Sequence, residues 1–418
     1  MFETISMIGL GYIGLPTATL FASRKKKVIG VDVNQHAVDT INQGKIHIVE
    51  PELDVLVQKA VADGWLRATT QPEAADAFLI AVPTPFKEGH QPDLSYIESA
   101  AKAIAPVLKK GDLVVLESTS PVGATEQLAV WLAEARPDLT FPQQAGENAD
   151  VQVAHCPERV LPGQVVRELV TNDRVIGGMT QKASEMAVAL YKTFVEGNCI
   201  VTNARTAEMC KLTENSFRDV NIAFANELSI ICDKQGINVW ELISLANRHP
   251  RVNILQPGPG VGGHCIAVDP WFIVDKNPKD AILIRNAREI NDRKPDWVLD
   301  KVNEAVAALY ATGREESSVT VALLGLAFKP NIDDLRESPA LQIAKKFSEQ
   351  TRANLLLVEP NIEILPPTIA NQKLVSVDEA ISQADVVVLL VNHYEFFDIK
   401  SRLNEKTIVV DVVGIDAA

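Results

Sequence analysis

The sequence is short of several things, and each shortage narrows what the chain can do. Cysteine is scarce, with five in 418 residues, an odd number scattered along the chain. That is not the disulfide framework of a small secreted domain, and reduced thiols in a cytosolic protein are the simpler expectation. No run approaches the ~18 uncharged apolar residues of a membrane span. The N-terminus, Met1-Phe2-Glu3-Thr4-Ile5, has no basic stretch before its apolar run, so no signal peptide is expected and the cytoplasm is the expected location. Positive charge is in deficit, since 40 Lys and Arg against 54 Asp and Glu leave a net charge of −14. A field of that sign repels phosphate, which argues against nucleic acid or an anionic membrane as partner and confines any anion recognition to a pocket. No short-period repeat and no spaced His/Cys/Asp set suited to a metal ion is present.

What remains is an ordinary globular balance, 47% apolar and 22% charged. At ~150 residues per domain the length suits two or three domains. The first 200 residues alternate short apolar runs with helical patterns. Strands are expected at 4–8, 28–31, 76–82 and 113–116, a pattern of βαβ units and a parallel sheet. From Arg205 to about Gln235 the pattern becomes one long helix without Gly or Pro, and Gly236 is a plausible stop. A second helix is expected over 239–247, an irregular Pro- and Gly-rich loop over 250–270, and a third helix over 279–309. The polar stretch ATGREESS (311–318) reads as a linker. Beyond it a second α/β pattern begins, with strands expected at 319–324, 354–358, 385–391 and 407–412.

Gly9-Leu10-Gly11-Tyr12-Ile13-Gly14 follows the first strand and opens a helix. In such a turn the first glycine allows the tight bend, the second lets backbone approach a pyrophosphate, and the third lets helix and strand pack closely. The helix N-terminus adds N–H groups and partial positive charge. Asp32 ends the second strand, 21 residues after Gly11, where a carboxylate accepts hydrogen bonds from the adenosine ribose. The same carboxylate repels a 2′-phosphate, and no Arg follows it, so NAD is expected over NADP. The alternative is a glycine turn required only by packing. The second α/β pattern opens with Gly325-Leu326-Ala327-Phe328-Lys329-Pro330, which lacks the glycine triplet, so no second dinucleotide is expected there. Lys329 and Arg336 suit another phosphate-bearing ligand or are plain surface charge.

Three further groups carry chemistry. Lys211, Asn215 and Arg218 share one face of the long helix, aimed either at solvent or at a ligand. Cys265 lies in Gly262-Gly263-His264-Cys265, with Asp269 beyond. A thiol in such a loop is more accessible than one on an apolar helix face, and nearby positive charge would make thiolate available. Cys156, Cys199 and Cys210 lack that setting and are expected to be structural. His249-Pro250-Arg251 is either an anion corner or a loop-ordering element. Glu158 and Arg159, in Cys156-Pro157-Glu158-Arg159, fall where α/β ligand crevices open, or form a structural ion pair.

Together these segments resemble the UDP-glucose/GDP-mannose dehydrogenase family. The resemblance runs along essentially the whole chain through GLGYIGLP (9–16), AVPTP (81–85), ESTSPVG (117–123), CPERVLPG (156–163), KLTENSFRDVNIAFANEL (211–228), GVGGHCIAVDP (260–270) and GLAFKPNIDDLRESP (325–339). It implies an α/β protein with two Rossmann-like doubly wound domains joined by a long central helix and helical spacer. The expected boundaries are an NAD-binding domain over 1–203, a central helical domain over 204–311 and a UDP-sugar-binding domain over 312–418, with a homodimer formed through the central helix. The implied reaction is a four-electron oxidation of a sugar C6 alcohol to a carboxylate with reduction of two NAD⁺. Within the family, HPRVNILQPGPGVGGHC (249–265) is most like members that act on UDP-N-acetyl-D-mannosamine, which supply surface polysaccharides such as enterobacterial common antigen.

The resemblance also assigns roles. Cys265 would be the nucleophile. Lys211, with Asn215 and a water, would remove the alcohol proton, and Asp269 would orient that water or the lysine. Glu158 would serve thioester hydrolysis and Thr119 would position water. Tyr12, Ile13, Asp32, Thr84 and Thr125 would meet NAD beside Gly9, Gly11 and Gly14. Arg159, Val160, Lys211, Asn215, Arg218, His249, Arg251 and Gly262 would line the sugar pocket, with Lys329 and Arg336 on the UDP side. One departure stands out: the last strand often ends in Asp followed closely by a basic residue, whereas here it reads Asp411-Val412-Val413-Gly414, which puts any ligand contact from this tail in doubt. Three alternatives stay open: a dehydrogenase for UDP-glucose or UDP-N-acetyl-glucosamine, a two-electron β-hydroxyacid dehydrogenase without the covalent cysteine, and a non-catalytic NAD or nucleotide-sugar sensor.

Overall fold

Short apolar runs whose alternate residues bury on opposite faces build the first sheet. In β1 (Thr4–Ile8) Ile5 and Met7 enter one core while Ile8 enters the other, and in β4 (Ala77–Ile80) Leu79 and Phe78 divide the same way. With both faces covered by helices, such strands pair in parallel. The computed structural model describes residues 2–415 except 49, 161, 162 and 264. The chain divides into two units, Met1–Glu214 and Asn215–Ala418.

The first unit holds an eight-stranded sheet in the order β3-β2-β1-β4-β5-β6-β7-β8. Its other strands are β2 (Lys27–Val31), β3 (Leu66–Thr69), β5 (Leu113–Leu116), β6 (Gln152–His155), β7 (Arg174–Gly178) and β8 (Cys199–Asn203). The strand order reverses between β1 and β4, both paired in parallel with their neighbours, which makes this the switch point at which doubly wound sheets bind ligands. The parallel expectation has one exception, because β6 and β7 run antiparallel. Strands β3, β7 and β8 lie outside the strands expected from the sequence. β8 is an edge strand, largely exposed, with none of the burial that periodicity detects.

The second unit repeats the device in smaller form. β9 (Thr320–Leu324), β10 (Asn354–Val358), β11 (Lys373–Leu374), β12 (Val386–Leu389) and β13 (Ile408–Asp411) make an all-parallel sheet in the order β11-β10-β9-β12-β13. Ahead of it lie the helices Val239–Ala246, Asp269–Lys276 and Ile282–Tyr310. The long helix spans Ala204–Gln235, and Gly236 ends it in the left-handed region at φ +68°. No helix among the described residues is long and apolar enough to cross a membrane.

Candidate functional site

The glycine turn between β1 and the helix Gly14–Ser23 shows what each glycine is for. Gly9 has φ +91°, and a Cβ there would sit 2.4 Å from the Ala81 carbonyl oxygen. A Cβ on Gly14 would lie 1.8 Å from the Gly9 carbonyl oxygen. Both are dictated by internal packing. Gly11 differs, because a Cβ there meets no protein atom within 4 Å. Nothing inside the fold fills the space beside that glycine, which leaves its backbone open to a group such as a pyrophosphate. Tyr12 and Ile13 flank it, half-buried. Asp32, at the end of β2, accepts the Leu10 N–H through Oδ2 and the Asn34 N–H through Oδ1, each at 2.9 Å. The carboxylate is therefore fixed beside the turn and still has acceptor capacity for a ribose.

Over β4 and β5 two loops clasp each other. Ser118 Oγ accepts the Val82 N–H at 2.9 Å and donates to the Val82 carbonyl at 2.7 Å, while Thr84 Oγ1 donates to the Thr119 carbonyl at 2.5 Å. Thr125, expected at the cofactor, is fully buried with its amide and hydroxyl bound to Glu208, so it anchors this loop.

Beyond β6 comes Glu158. The residue is half-buried, but its Oε1 is sealed from solvent with no hydrogen-bond partner among the described residues. Burial pushes its carboxyl up to about 7, against the opposing pull of Lys211 and then Arg174. Lys211 is itself buried. A carboxyl that gains and loses its proton near neutrality, facing a buried amine, has the properties of an acid–base site. Beneath it lies a cluster that sequence reasoning missed. The Arg174 guanidinium stacks 4.7 Å from the Tyr191 ring and reaches Cys156 Sγ at 3.8 Å, and the Tyr191 hydroxyl donates to Glu117 at 2.5 Å. Burial drives the Cys156 thiol up to about 11, as an inert thiol requires. Arg159, expected at the substrate, forms an ion pair with Glu214 at 2.7 Å, and Val160 lies half-buried beside it.

In the second unit Asn215 and Asp269 form a buried pair, with Asn215 Nδ2 donating to Asp269 Oδ2 at 2.5 Å. Asp269 opens the helix Asp269–Lys276 one turn after Cys265, whose carbonyl accepts the Asp269 N–H at 2.8 Å. Cys265 is a half-buried free cysteine; its neighbour His264 lies outside the described residues. The glycines before it pack on the loop after β9. A Cβ on Gly262 would lie 2.6 Å from the Glu337 carbonyl, and Gly263, at φ +81°, lies against the Phe328 ring and donates its N–H to the Arg336 carbonyl at 3.1 Å. Their small size therefore has a packing reason within the unit. Lys329 is half-buried on that loop, and Arg336 pairs with Asp334 at 2.6 Å. Arg218, His249 and Arg251 are exposed.

A cavity of ~320 Å³ opens at the C-terminal ends of β9, β12 and β13, walled by Trp240, Gln256, Pro257, Phe328, Asn392 and Val413. Its place and size are those of a small-molecule crevice in an α/β fold. Val413 and Gly414 border it, and the Trp240 indole packs against Gly414.

Comparison with known proteins covers the whole chain. The NAD binding domain of the UDP-glucose/GDP-mannose dehydrogenase family matches residues 3–195, its central domain 205–293 and its UDP binding domain 322–416. A UDP-N-acetyl-D-mannosamine dehydrogenase of Yersinia pestis is 68% identical over 418 residues, covering 99% of each chain. An NDP-N-acetyl-D-galactosaminuronic acid dehydrogenase of Ralstonia nicotianae is 66% identical over 417 residues, covering 100% of this chain and 97% of its own. Among solved structures, a UDP-D-ManNAc dehydrogenase from Pyrococcus horikoshii superposes with a TM-score of 0.89 at 39% identity, covering 99% of this chain and 96% of its own.

Proposed function

The chain belongs to the UDP-glucose/GDP-mannose dehydrogenase family, and from that premise we propose that it is an NAD-dependent UDP-N-acetyl-D-mannosamine 6-dehydrogenase. The observation that carries the substrate is the 68% identity along 99% of the chain to an enzyme of that name. The 66% identity to an enzyme named for a galactosaminuronic acid supports a second reading, in which the amino sugar has the other configuration. Both substrates share the acetamido group and differ in stereochemistry, a distinction set by pocket shape.

The overall reaction converts RCH2OH, two NAD⁺ and water into RCOO⁻, two NADH and three H⁺. When bound, NAD⁺ supplies a hydride acceptor, and the open face of Gly11 with the oriented carboxylate of Asp32 fits it. Lys211 takes the C6 hydroxyl proton, with Asn215 holding the oxygen and Asp269 holding Asn215. Once C6 has given up its first hydride, the Cys265 thiolate adds to the resulting aldehyde; a second hydride then leaves the thiohemiacetal, and the thioester that remains is an acyl group activated toward water, which displaces the Cys265 thiolate. Glu158, ionised above about pH 7, draws the proton from the attacking water beside Thr119. Val160, Arg159, Arg218, His249, Arg251 and Gly262 are assigned to the sugar, and Lys329 and Arg336 to the diphosphate.

A homodimer through the long helix is part of this reading. Phe217, Phe224 and Ile231 recur every seven residues and are 68%, 51% and 41% exposed, an apolar stripe suited to a second copy. All five cysteines are thiols, which suits the cytoplasm. The product would be an aminouronate donor for a surface polysaccharide such as enterobacterial common antigen. The deciding experiment incubates the protein with NAD⁺ and, separately, the UDP-linked N-acetyl derivatives of mannosamine, glucosamine and galactosamine, and UDP-glucose. Two NADH per N-acetylmannosamine unit supports the proposal. One NADH per sugar points to a two-electron dehydrogenase, no turnover to a sensor, and preference for another sugar to a different specificity.

A further inference from the structure

Glu208 is 1% exposed and stands three residues, about one helical turn, before Lys211 on the long helix. Its carboxylate accepts three hydrogen bonds from the end of one loop and the first turn of the helix that follows it: the Gly123 N–H at 2.7 Å, the Thr125 N–H at 2.7 Å and the Thr125 hydroxyl at 2.6 Å. A carboxylate taken out of water to this degree is costly unless it is fully hydrogen-bonded, and here these bonds go to the segment that leaves β5. Gly123 takes the left-handed φ of +97° that turns its N–H toward the carboxylate, and the helix Ala124–Ala135 begins immediately after, so its N-terminal field favours the negative charge. At its other end the same loop is clasped to the loop after β4 through Ser118 and through Thr84 on Thr119. Asp32 assigns the adenosine half of the dinucleotide to β2, so the remaining half extends over β4 and β5. Glu208 thus ties the ground beneath the nicotinamide end to the helical turn that bears the lysine.

We propose that Glu208 is a positioning residue that fixes Lys211 relative to the cofactor's reactive end by locking the 118–125 segment to the long helix. This rests on the assignment of Lys211 as the proton-handling group. In Glu208→Gln the side chain keeps its shape, but one acceptor becomes a donor facing an N–H, so at least one of the three bonds is lost and the loop shifts. Misplacing reacting groups by ~1 Å costs up to ~10²-fold, so kcat with UDP-N-acetyl-mannosamine falls roughly 10- to 100-fold. KM for the sugar changes by less than about threefold, because ground-state sugar binding does not use this loop. The isotope effect with substrate deuterated at C6 rises above the wild-type value as hydride transfer becomes limiting. Thr125→Val, which removes only the hydroxyl bond to Glu208, reproduces part of the loss. If Glu208→Gln lowers only the melting temperature and leaves kcat and the isotope effect unchanged, Glu208 is a structural cap and the proposal is overturned. Lys211→Met separates the two claims. A fully active Lys211→Met overturns the lysine assignment and the positioning role with it. An inactive Lys211→Met beside a fully active Glu208→Gln overturns the positioning role alone. Should Glu208→Gln fail to fold, Thr125→Val, which deletes only the hydroxyl bond, carries the same kinetic test.

Discussion

Replacing Glu158 by Gln should make the protein more stable and less active at once. Burial holds this carboxyl at about 7 in the folded chain, against 4.5 ordinarily, with Lys211 and Arg174 resisting the rise. Between those two values the folded chain keeps a proton that the unfolded chain has released. Stability therefore falls as pH rises through that window, and the whole penalty applies above pH 7. At 1.36 kcal/mol per pH unit the ceiling is about 3 kcal/mol. Glutamine occupies the same space without the charge, so the variant should match the wild type near pH 4.5 and exceed it by up to that amount at pH 8. Urea unfolding of the two proteins at pH 5 and pH 8 measures the difference. In the same variant steady-state acid formation should drop by roughly 10²- to 10⁴-fold, the range for loss of a general base. A rapid burst of NADH should remain, because the oxidative half does not use this carboxylate and the thioester accumulates. A stability gap independent of pH would refute the account of the carboxyl. Loss of the burst together with turnover would refute its assignment to hydrolysis.

Three other substitutions test separate parts of the reading. Cys265→Ala should keep binding NAD⁺ and the UDP-sugar, by calorimetry, yet form no acid; full acid production would reject the covalent route. Asp32→Ala should weaken NAD⁺ by roughly 10- to 100-fold, the worth of hydrogen bonds to a charged acceptor, and weaken NADP⁺ less; equal losses in the two dissociation constants would remove the ribose argument. Lys294 is buried on the helix Ile282–Tyr310, where its amine bonds the Ser229 hydroxyl and lies 3.8 Å from the centre of the Trp297 ring. Burial holds it down at about 7, with Asp233 opposing. The unfolded chain then binds the extra proton between about pH 7 and 10.5, so stability rises with pH across that range, and Lys294→Met should abolish the rise in urea midpoints measured at pH 7 and 9.5.

The long helix was legible nearly to the residue, 205–235 expected against Ala204–Gln235, because helical periodicity and a glycine stop are local signals. The glycine turn and Asp32 were legible for the same reason. The antiparallel step from β6 to β7 was not, since pairing direction depends on the path of an intervening chain rather than on either strand. Glu208 and Glu117 were missed because their partners lie 83 and 74 residues away, and nothing in either neighbourhood marks a carboxylate as buried. Gly262 is placed in the sugar pocket by resemblance alone, and the fold adds a reason for its small size that no motif carries, its packing against Phe328 and Glu337. Motif reading supplies residue types, but whether packing or a ligand requires them is decided only in three dimensions.

The two glycine turns show how that decision is made. At each, a glycine at φ +91° ends the first strand and donates its N–H at 2.8 Å to the carbonyl ending the neighbouring strand, Gly9 to Val31 and Gly325 to Val358. At each, the next residue donates to an acid one position beyond, Leu10 to Asp32 and Leu326 to Glu359. The backbone device is the same, and the acids differ in what else they hold. Glu359 is 3% exposed; it also accepts the Ala327 N–H, its second oxygen takes the Asn361 amide, and His393 Nε2 lies 3.1 Å from the first. Burial raises that carboxyl, but those bonds, led by His393, outweigh it and hold the group at about 2. Its acceptor sites are filled from within, so no ribose can use it. Among the described residues Asp32 accepts two backbone N–H groups, and it remains half-open. The second turn thus differs from the first in more than its missing glycines, since a histidine and an asparagine already satisfy its acid.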